Sequence, residues 1–468
     1  YHEGWEYSAY NACCEVNNKL KEEAAATLYP FNVFEVERYS TMRKLSVGSC
    51  QNHTAKVLFA MRAKGIPVTV DFTPQWAYRD MGHSWDVLLN NHGKEMTFSG
   101  ADLNPDIIHK PDSKMAKVYR RCYARNRLSL GARADGEEIP ADLSSPFIID
   151  VTSKYMKTCN IDVPIKNARY SKRKFGYLCV FDNKGWKPIA YGDINGRSIS
   201  FREIGRETMY LPAYFVAGQP ISANYPFSID YNGNIHYYVA DTINTRKLRI
   251  FRKYPTTHRV TGITTHMIGG EIQASADSTF SNPVIFHRIE KNPNGMYVTV
   301  TNDSVKGKYR YWRHLSPIKG YGNIAELQFF DERDSLLNRY GRIIGTDGSW
   351  GNPGERDKTK AFDGDPLSFF DCIVADSAWV GLEFSKPVNI SKVTYLPRND
   401  GNNIEIGDKY ELFYYDANGW VSLGLQTATK HYVEYDGVPD NAVLWLHNHS
   451  RGKEERIFTF DGRKAVWW

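Results

Sequence analysis

The residues of this chain that could do nucleophilic chemistry are a cysteine and a histidine in its N-terminal part. Cys50 directly follows Ser49, a residue type that caps helices, and it opens a run with apolar residues at helical spacing. The N-terminus of a helix lowers the pKa of a thiol through its free N–H groups and its dipole, and only the thiolate attacks. His83 lies near the start of a predicted strand, from which a rigid backbone could aim an imidazole at the sulfur.

The elements that must hold these two residues can be predicted from helix and strand signals. A first helix is predicted over 12–28, because this stretch is rich in Ala, Glu, Lys and Leu and lacks Gly and Pro. The helix that Cys50 opens is predicted to end at Gly65, with Pro67 two residues beyond. Three strands are predicted to follow, with a hairpin turn at 90–93, over 68–72, 83–89 and 95–99.

Two motifs in this region resemble the core of the transglutaminase-like, papain-related cysteine enzymes. In that family a cysteine opens a helix, the helix ends in an R-x-x-G-I-P turn, and a strand carrying H-x-W follows. The matching segments are Arg62-Ala63-Lys64-Gly65-Ile66-Pro67 and His83-Ser84-Trp85. The resemblance covers about residues 40–110. The resemblance implies that Cys50 is the nucleophile and His83 the general base.

The third member of the expected triad is where this sequence departs from the family. The family usually has an aspartate about sixteen residues after the histidine, and that spacing reaches Ser99 here; the nearest acid beyond it is Asp102. Asp86 is a poor substitute, because it lies three residues along the same predicted strand as His83 and points to the opposite face. Three alternatives follow: Asp102 reaches back through a local bulge, Ser99 orients the imidazole weakly, or the site is degenerate.

The C-terminal part of the chain carries a second resemblance, to the discoidin (coagulation factor V/VIII type C) family of jelly-roll sandwiches. Glu383 stands where that family often has Asp. The segments that match in order are 360–367, 369–371, Trp379-Val380-Gly381-Leu382-Glu383-Phe384, 393–400, 410–416 and Gly419-Trp420. The resemblance implies carbohydrate or cell-surface binding by loops at one end of a sandwich, and not catalysis.

Two aspartates in this module are candidate metal ligands. Asp363 and Asp365 flank Gly364, and together with loop carbonyls they could hold a structural Ca²⁺, as modules of this family often do. The alternative is that Asp363-Gly364-Asp365 is simply a turn. No other cofactor is required by the chemistry that we expect.

The predicted fold class is multidomain α+β, with a papain- or transglutaminase-like head and all-β sandwich modules. From about residue 151 helical signals nearly vanish and short β-type runs recur between turn residues. The predicted domains are a head over 1–150, a β-rich domain over 151–245, a β-sandwich over 246–335 and a discoidin-like jelly roll over 336–468. The third domain, which contains Asn323-Ile324-Ala325-Glu326, could be a second, divergent discoidin-like copy.

Composition and charge exclude several classes of protein. The 468 residues carry a net charge of only +6 without a concentrated basic stripe, so we expect no nucleic-acid partner. There is no uninterrupted apolar stretch of about 20 residues, and therefore no transmembrane helix is expected in this chain. Seven cysteines are an odd and sparse set, which argues against a disulfide framework.

The function that these features predict is a cysteine-dependent amide hydrolase or acyltransferase that acts on peptide or glycopeptide amides. Cys50 would attack the carbonyl, and His83 would take the thiol proton and then give it to the leaving amine. Water or an amine would resolve the acyl-enzyme. The discoidin resemblance implies glycan targeting and an extracytoplasmic location. The alternative is a catalytically inert head in a glycan- or surface-binding protein, which the serine at position 99 favours.

Overall fold

The computed structural model describes residues 7–23, 27–28, 38–44, 47–106, 114–302, 305, 307–451 and 454–468. These residues are mostly β-strand, in several antiparallel sheets, as the β-rich composition predicts. Within the described residues, no helix combines the length and the apolar composition that crossing a membrane requires. Short 3₁₀ helices lie at Ala141–Leu143, Thr152–Lys154, Ala168–Tyr170, Asn338–Tyr340 and Lys358–Ala361.

The N-terminal unit is a five-stranded antiparallel sheet with helices on one face. Its elements are α1 (Ala9–Glu23), β1 (Thr27–Leu28), α2 (Tyr39–Lys44), β2 (Val47–Gly48), α3 (Cys50–Ala63), β3 (Val68–Thr73), β4 (His83–Leu89), β5 (Glu95–Phe98), β6 (Tyr119–Arg121), α4 (Leu130–Arg133) and β7 (Ile148–Asp150). The strand order in the sheet is β5-β4-β3-β6-β7, and β1 pairs separately with β2. Apolar residues of α1 and α3 pack against β3, β4 and β5 in one core cluster.

Helix α3 lies where the sequence predicts it, whereas the first helix is shorter than predicted. Gly65 has a φ of +76° and its N–H donates to the Arg62 carbonyl, which ends α3 in the manner of a C-terminal glycine. The prediction of helix over 12–28 is wrong at its end, because Thr27 and Leu28 pair with β2. Helix propensity is a local property and does not detect a pairing partner twenty residues away.

The second unit is a curved sheet of eight strands. They are β8 (Thr158–Pro164), β9 (Phe175–Phe181), β10 (Trp186–Asn195), β11 (Ser198–Gly205), β12 (Thr208–Val216), β13 (Gln219–Ser222), β14 (Phe227–Ile229) and β15 (Ile235–Tyr237). The order is β15-β14-β12-β9-β10-β11-β8, with β13 added to β12. All residues of β9 are buried, and its two faces contribute to separate apolar clusters. The sheet therefore has cores on both sides.

A two-sheet sandwich follows. The elements are β16 (Asp241–Ile250), α5 (His258–Thr265), β17 (Glu271–Ser275), β18 (Val284–Arg288), β19 (Val298–Thr301), β20 (Tyr309–Leu315), β21 (Gly322–Phe330), β22 (Gly341–Gly345), β23 (Phe370–Asp371), β24 (Trp379–Val388) and β25 (Lys392–Pro397). The two sheets have the orders β18-β17-β20-β24-β22 and β19-β25-β21-β23. A single core around the fully buried Trp312 fills the space between them.

The last strands form a further sheet and pair with β16. They are β26 (Lys409–Asp416), β27 (Gly419–Thr427), β28 (Val433–Asp440), β29 (Leu444–Asn448), β30 (Ile457–Phe460) and β31 (Ala465–Trp467). Five of them form one sheet in the order β27-β26-β29-β30-β31. Strand β28 pairs with β16, and this pair covers β26 and β29 in one apolar cluster.

Hydrogen-bonded sheets do not follow two of the predicted domain boundaries. The boundary between residues 335 and 336 separates β20 and β21 from their partners β24 and β25. The boundary between residues 245 and 246 falls inside β16, and the α5 helix lies in a region where few helical signals were found. Turn residues mark where strands end, but pairing partners far along the chain leave no local signal.

Arg456 connects three of these units at one point. Its side chain is buried, and it donates to the carbonyl oxygens of Ala77, Phe181 and Trp468. Burial lowers the pKa of Arg456 to about 10, while Tyr254 and nearby carboxylates favour its charged form. Three carbonyl partners replace the water that a buried guanidinium loses, so this arginine fixes the N-terminal unit against the other two.

Candidate functional site

Cys50 is the first residue of α3 and lies at a capped helix N-terminus. The Ser49 N–H donates to Asn52 Oδ1 at 3.0 Å, and the Asn52 N–H donates back to Ser49 Oγ at 3.4 Å, which completes a capping box. The Cys50 thiol is half-buried and free. The other six cysteines are also free, and three of them, Cys13, Cys179 and Cys372, are buried. The positive end of the α3 dipole therefore lies at a partly accessible sulfur.

A buried contact between two hydroxyls fixes α3 against the strand that carries His83. Thr54 Oγ1 and Ser84 Oγ are 3.3 Å apart. Thr54 lies one helical turn after Cys50 and on the same side of the helix, while Ser84 directly follows His83. The structure thus brings the first turn of α3 to the His83 end of β4, and the pairing of Cys50 with His83 stays a prediction.

The two faces of β4 have different environments. Ser84 and Asp86 face α3, whereas His83 and Trp85 face the opposite side of the sheet. The His83 ring stacks on Trp76 with centroids 5.6 Å apart and lies 5.9 Å from Trp85. Because Cys50 lies on the α3 side of the sheet and His83 on the other side, a contact of sulfur and imidazole would have to be made around the end of β4.

An ionic network that sequence reasoning missed holds Trp85. Its indole N–H donates to the Tyr155 hydroxyl at 2.9 Å, and that hydroxyl donates to the buried Asp71 carboxylate at 2.5 Å. Arg120 donates to both oxygens of Asp71, at 2.7 and 2.9 Å, and also to Glu95. The signal available in the sequence was the alternation of β3, which places Asp71 on the same face as His83 and directly opposite Trp85.

Asp86 lies where the sequence predicts, on the face away from His83. It is fully buried under α3, and its carboxyl lies against Gly100, where an added Cβ would be 2.4 Å from Oδ2. Neither oxygen has a hydrogen-bond partner of ordinary geometry among the described residues. Burial raises the pKa of Asp86 well above its usual value, partly opposed by the Gly100 backbone. Burial therefore favours the protonated form of the Asp86 carboxyl.

Ser99 and Asp102, the two candidates for the third member, lie in the turn after β5. The N–H of Asp102 donates to the Ser99 carbonyl at 3.1 Å, and Asp102 is exposed. The charge of Asp102 acts on His53, a residue of α3 whose pKa is lowered by burial and by Lys56 and raised by Asp102. Whether either residue orients His83 stays a prediction.

A cavity of about 570 Å³ lies at the other end of α3. The residues that line it include Arg62, Pro67, Val87, Arg120, Cys122 and Tyr123. It includes neither Cys50 nor His83, so it is separate from the cysteine–histidine region.

The predicted calcium ligands make the hydrogen bonds of a turn. The Asp363 carboxylate accepts from Ser368 Oγ at 2.8 Å and lies 3.2 Å from Lys360 Nζ, while Asp365 Oδ1 accepts from the Leu367 N–H. No group of three or more His, Cys, Asp or Glu side chains within the described part of the chain is arranged to hold a metal ion. A cation would have to compete with Lys360 for Asp363, and the calcium site stays a prediction.

Comparisons with known proteins return no relative. No protein-family model, no curated protein and no solved structure matches this chain. The transglutaminase-like and discoidin-like resemblances therefore rest on the sequence motifs alone.

Proposed function

We propose that this chain is an extracytoplasmic protein whose N-terminal unit is a cysteine-dependent amide hydrolase or acyltransferase, and whose sandwich units bind glycan. The observation that carries the proposal is the position of Cys50. A half-buried free thiol opens a capped helix, and the first turn of that helix contacts the beginning of the His83 strand at 3.3 Å. In this proposal the helix N-terminus favours the thiolate of Cys50, and the imidazole of His83 serves it as the base.

The chemistry follows the usual order for a thiol nucleophile. His83 accepts the Cys50 proton, the thiolate attacks the amide carbonyl, and the imidazolium then protonates the leaving amine as the C–N bond breaks. The thioester is resolved by water, which gives hydrolysis, or by an amine, which gives transfer. Stacking on Trp76 and Trp85 restrains the rotation of the His83 ring, and this partly replaces the work of an orienting acid.

The C-terminal units also help to position the candidate base in this proposal. Arg456 donates to the carbonyl of Ala77, the residue after Trp76, and Trp76 stacks on His83. The C-terminal sheet therefore fixes the loop that precedes His83. The position of the imidazole in the head depends on this sheet. Peptide or glycopeptide amides remain the substrate class, because the resemblance of the C-terminal module implies glycan recognition.

A second candidate function is an inert scaffold that binds glycan. It is favoured by the serine at position 99 and by the placement of Asp102, whose charge acts on His53. An unoriented imidazole leaves the histidine tautomer less fixed and the thiol less acidic.

The enzyme and the inert scaffold are distinguished by the alkylation of Cys50 with iodoacetamide. The reaction is measured across a range of pH and read by peptide mass spectrometry. The proposal expects a reaction that follows a pKa well below about 8.5 and loses that dependence in His83→Ala. Cys122 and Cys159, which are half-buried and free, are internal controls in the same digest. A Cys50 that titrates like these controls, or that stays blocked until the protein is denatured, overturns the enzyme proposal and supports the scaffold.

A further inference from the structure

Two arginines contact the same aromatic ring at one end of the large sandwich, and a third belongs to the nearby first turn of α5. Arg356 and Arg398 both contact the ring of Phe369, with guanidinium carbons 5.2 and 4.2 Å from its centroid. Arg259, in the first turn of α5, is exposed and close enough for its charge to act on Arg398. Helix α5 reaches this place through Val260, which packs against Gly295 beside the Arg398 carbonyl.

The charges that act on Arg398 come from one carboxylate and two further arginines. Asp371 lies 3.6 Å from Arg398 and is the acid that this arginine pairs with. The side chain of Arg398 is 23% exposed, and burial lowers its pKa, which Asp371 opposes and the charges of Arg356 and Arg259 reinforce. Gathering like charges in a partly desolvated place costs free energy, and a bound anion would offset that cost.

The geometry of the arginines suits an oxyanion. A guanidinium stacked on an aromatic ring keeps its N–H donors in a plane that points away from the ring, and this fork matches the oxygens of a carboxylate or sulfate. Two guanidiniums on one ring can therefore donate to the same group from two directions.

A half-exposed tryptophan lies in the chain segment next to Asp371, the acid that pairs with Arg398. The backbone N–H of Trp350 donates to the Asp371 carbonyl at 2.8 Å, and 52% of the residue is exposed. Its ring contacts Tyr321 edge-on at 6.1 Å, which fixes the indole and leaves one side open. Indole faces pack well against the C–H faces of sugar rings, whereas a simple inorganic anion has no apolar face to pack against an indole.

We propose that Arg259, Arg356 and Arg398 bind the carboxylate or sulfate group of an acidic saccharide whose ring packs on Trp350. The inference deepens the proposed glycan-binding role of the sandwich units and rests on it. Uronates and sulfated sugars share the planar or tetrahedral oxyanion that these arginines recognise.

Isothermal titration calorimetry on the full chain tests the inference with four ligands. They are a galacturonate hexasaccharide, a sulfated galactan hexasaccharide, a neutral galactan hexasaccharide and sodium sulfate. We expect binding of at least one acidic saccharide, weakened by added NaCl because charged contacts are screened. Arg398→Gln and Arg356→Gln should each weaken it by about 10-fold or more, the effect of losing a charge-assisted hydrogen bond. Trp350→Ala should weaken saccharide binding and leave any sulfate binding unchanged.

Arg339→Gln is the matched control. Arg339 also stacks on an aromatic ring, at 4.6 Å from Tyr340, but it lies near the Phe330 end of β21, whereas Arg398 lies at the Asn323 end. Its replacement should leave affinity unchanged. Binding of the galacturonate hexasaccharide would identify a carboxylate as the recognised group, and binding of the sulfated galactan hexasaccharide would identify a sulfate.

Neutral saccharide binding that survives Arg398→Gln and Arg356→Gln would overturn this inference and leave glycan binding intact. Binding of sodium sulfate alone would overturn the saccharide assignment. Absence of binding to every saccharide would overturn both this inference and the glycan-binding proposal.

Discussion

Arg456 and Ala77 are 379 residues apart in the sequence, and Arg456 Nη2 donates a hydrogen bond to the Ala77 carbonyl oxygen at 2.5 Å. Ala77 follows Trp76, the ring on which His83 stacks. A single buried guanidinium thus connects the last strands of the chain to the loop that positions the candidate base. The position of the Trp76 loop therefore depends on a residue of the C-terminal sheet.

Replacing Arg456 by Met should destabilise the protein and loosen this loop. The carbonyls of Ala77, Phe181 and Trp468 would lose their donor while remaining buried, at an expected cost of about 3 kcal/mol in the free energy of unfolding. Thermal and urea unfolding measure the cost. The pH dependence of Cys50 alkylation should also move toward that of a free thiol, because the Trp76 loop no longer holds His83.

Arg463→Met is the control for that experiment. Arg463 lies in the exposed turn between β30 and β31, close in sequence to Arg456, and its replacement should change stability by less than about 0.5 kcal/mol. Equal stability of the two variants would contradict the connecting role of Arg456.

Cys50→Ser should abolish amide cleavage or transfer if the head is an enzyme. Serine keeps the capped helix but is a far weaker nucleophile without a strongly placed base, so a loss of about 10³-fold or more is expected. Cys122→Ser, at a half-buried free cysteine that follows β6 in the same unit, should retain full activity. The measurement is the rate of amine release from peptide and glycopeptide amides. Similar rates for the two variants would remove Cys50 from the mechanism.

The parts of the site that could be predicted from sequence are those with local signals. Ser49 before Cys50 and the glycine at position 65 define α3 almost to the residue, because caps act within one turn. The position of β4, with Asp86 turned away from His83, follows from a two-residue alternation. These signals need no information from the rest of the chain.

The parts that could not be predicted depend on distant partners. The Asp71–Arg120 pair joins residues 49 apart, and the Arg456 contacts join residues hundreds apart; neither leaves a pattern in its neighbourhood. Counting along the chain from His83 reaches Ser99, and Asp102 is the nearest acid beyond it, but the direction of either side chain depends on the turn that joins them. The sheets do not follow the predicted domain boundary at residue 335 for the same reason. Local patterns show where a strand lies, but the pairing of β20 with β24 depends on tertiary packing.

Calcium should stabilise the chain if Asp363 and Asp365 are ligands. Modules with sites of this kind bind Ca²⁺ with dissociation constants of about 10⁻⁴–10⁻³ M, so about 10 mM Ca²⁺ should add roughly 1–3 kcal/mol to the free energy of unfolding. Differential scanning calorimetry with CaCl₂ or EDTA measures the shift. Asp363→Asn should remove it, whereas Asp347→Asn, at an aspartate that pairs with Lys358, should not. An unchanged melting temperature would identify Asp363-Gly364-Asp365 as a turn without a metal.

Glu326 should make the protein less stable as pH rises from acid to neutral. Burial, reinforced by Asp363, Asp365 and Glu405, raises the pKa of Glu326 to about 8, against an ordinary value of 4.5. Between these two values the unfolded chain has lost the proton that the folded chain still holds, so the free energy of unfolding falls across this window and levels off above about pH 8. Glu326→Gln keeps a neutral side chain of similar shape at every pH.

The Glu326→Gln variant should therefore match the natural chain near pH 4 and exceed its stability by a few kcal/mol at pH 8 to 9. Part of the slope should remain below about pH 6, because Glu405 is also buried and its pKa is raised to about 6. Urea unfolding across pH measures both curves. Glu290→Gln, at an exposed glutamate near the same sandwich, should follow the natural chain throughout. Parallel curves for Glu326→Gln and the natural chain would mean that folding does not raise the pKa of Glu326, and would contradict this prediction.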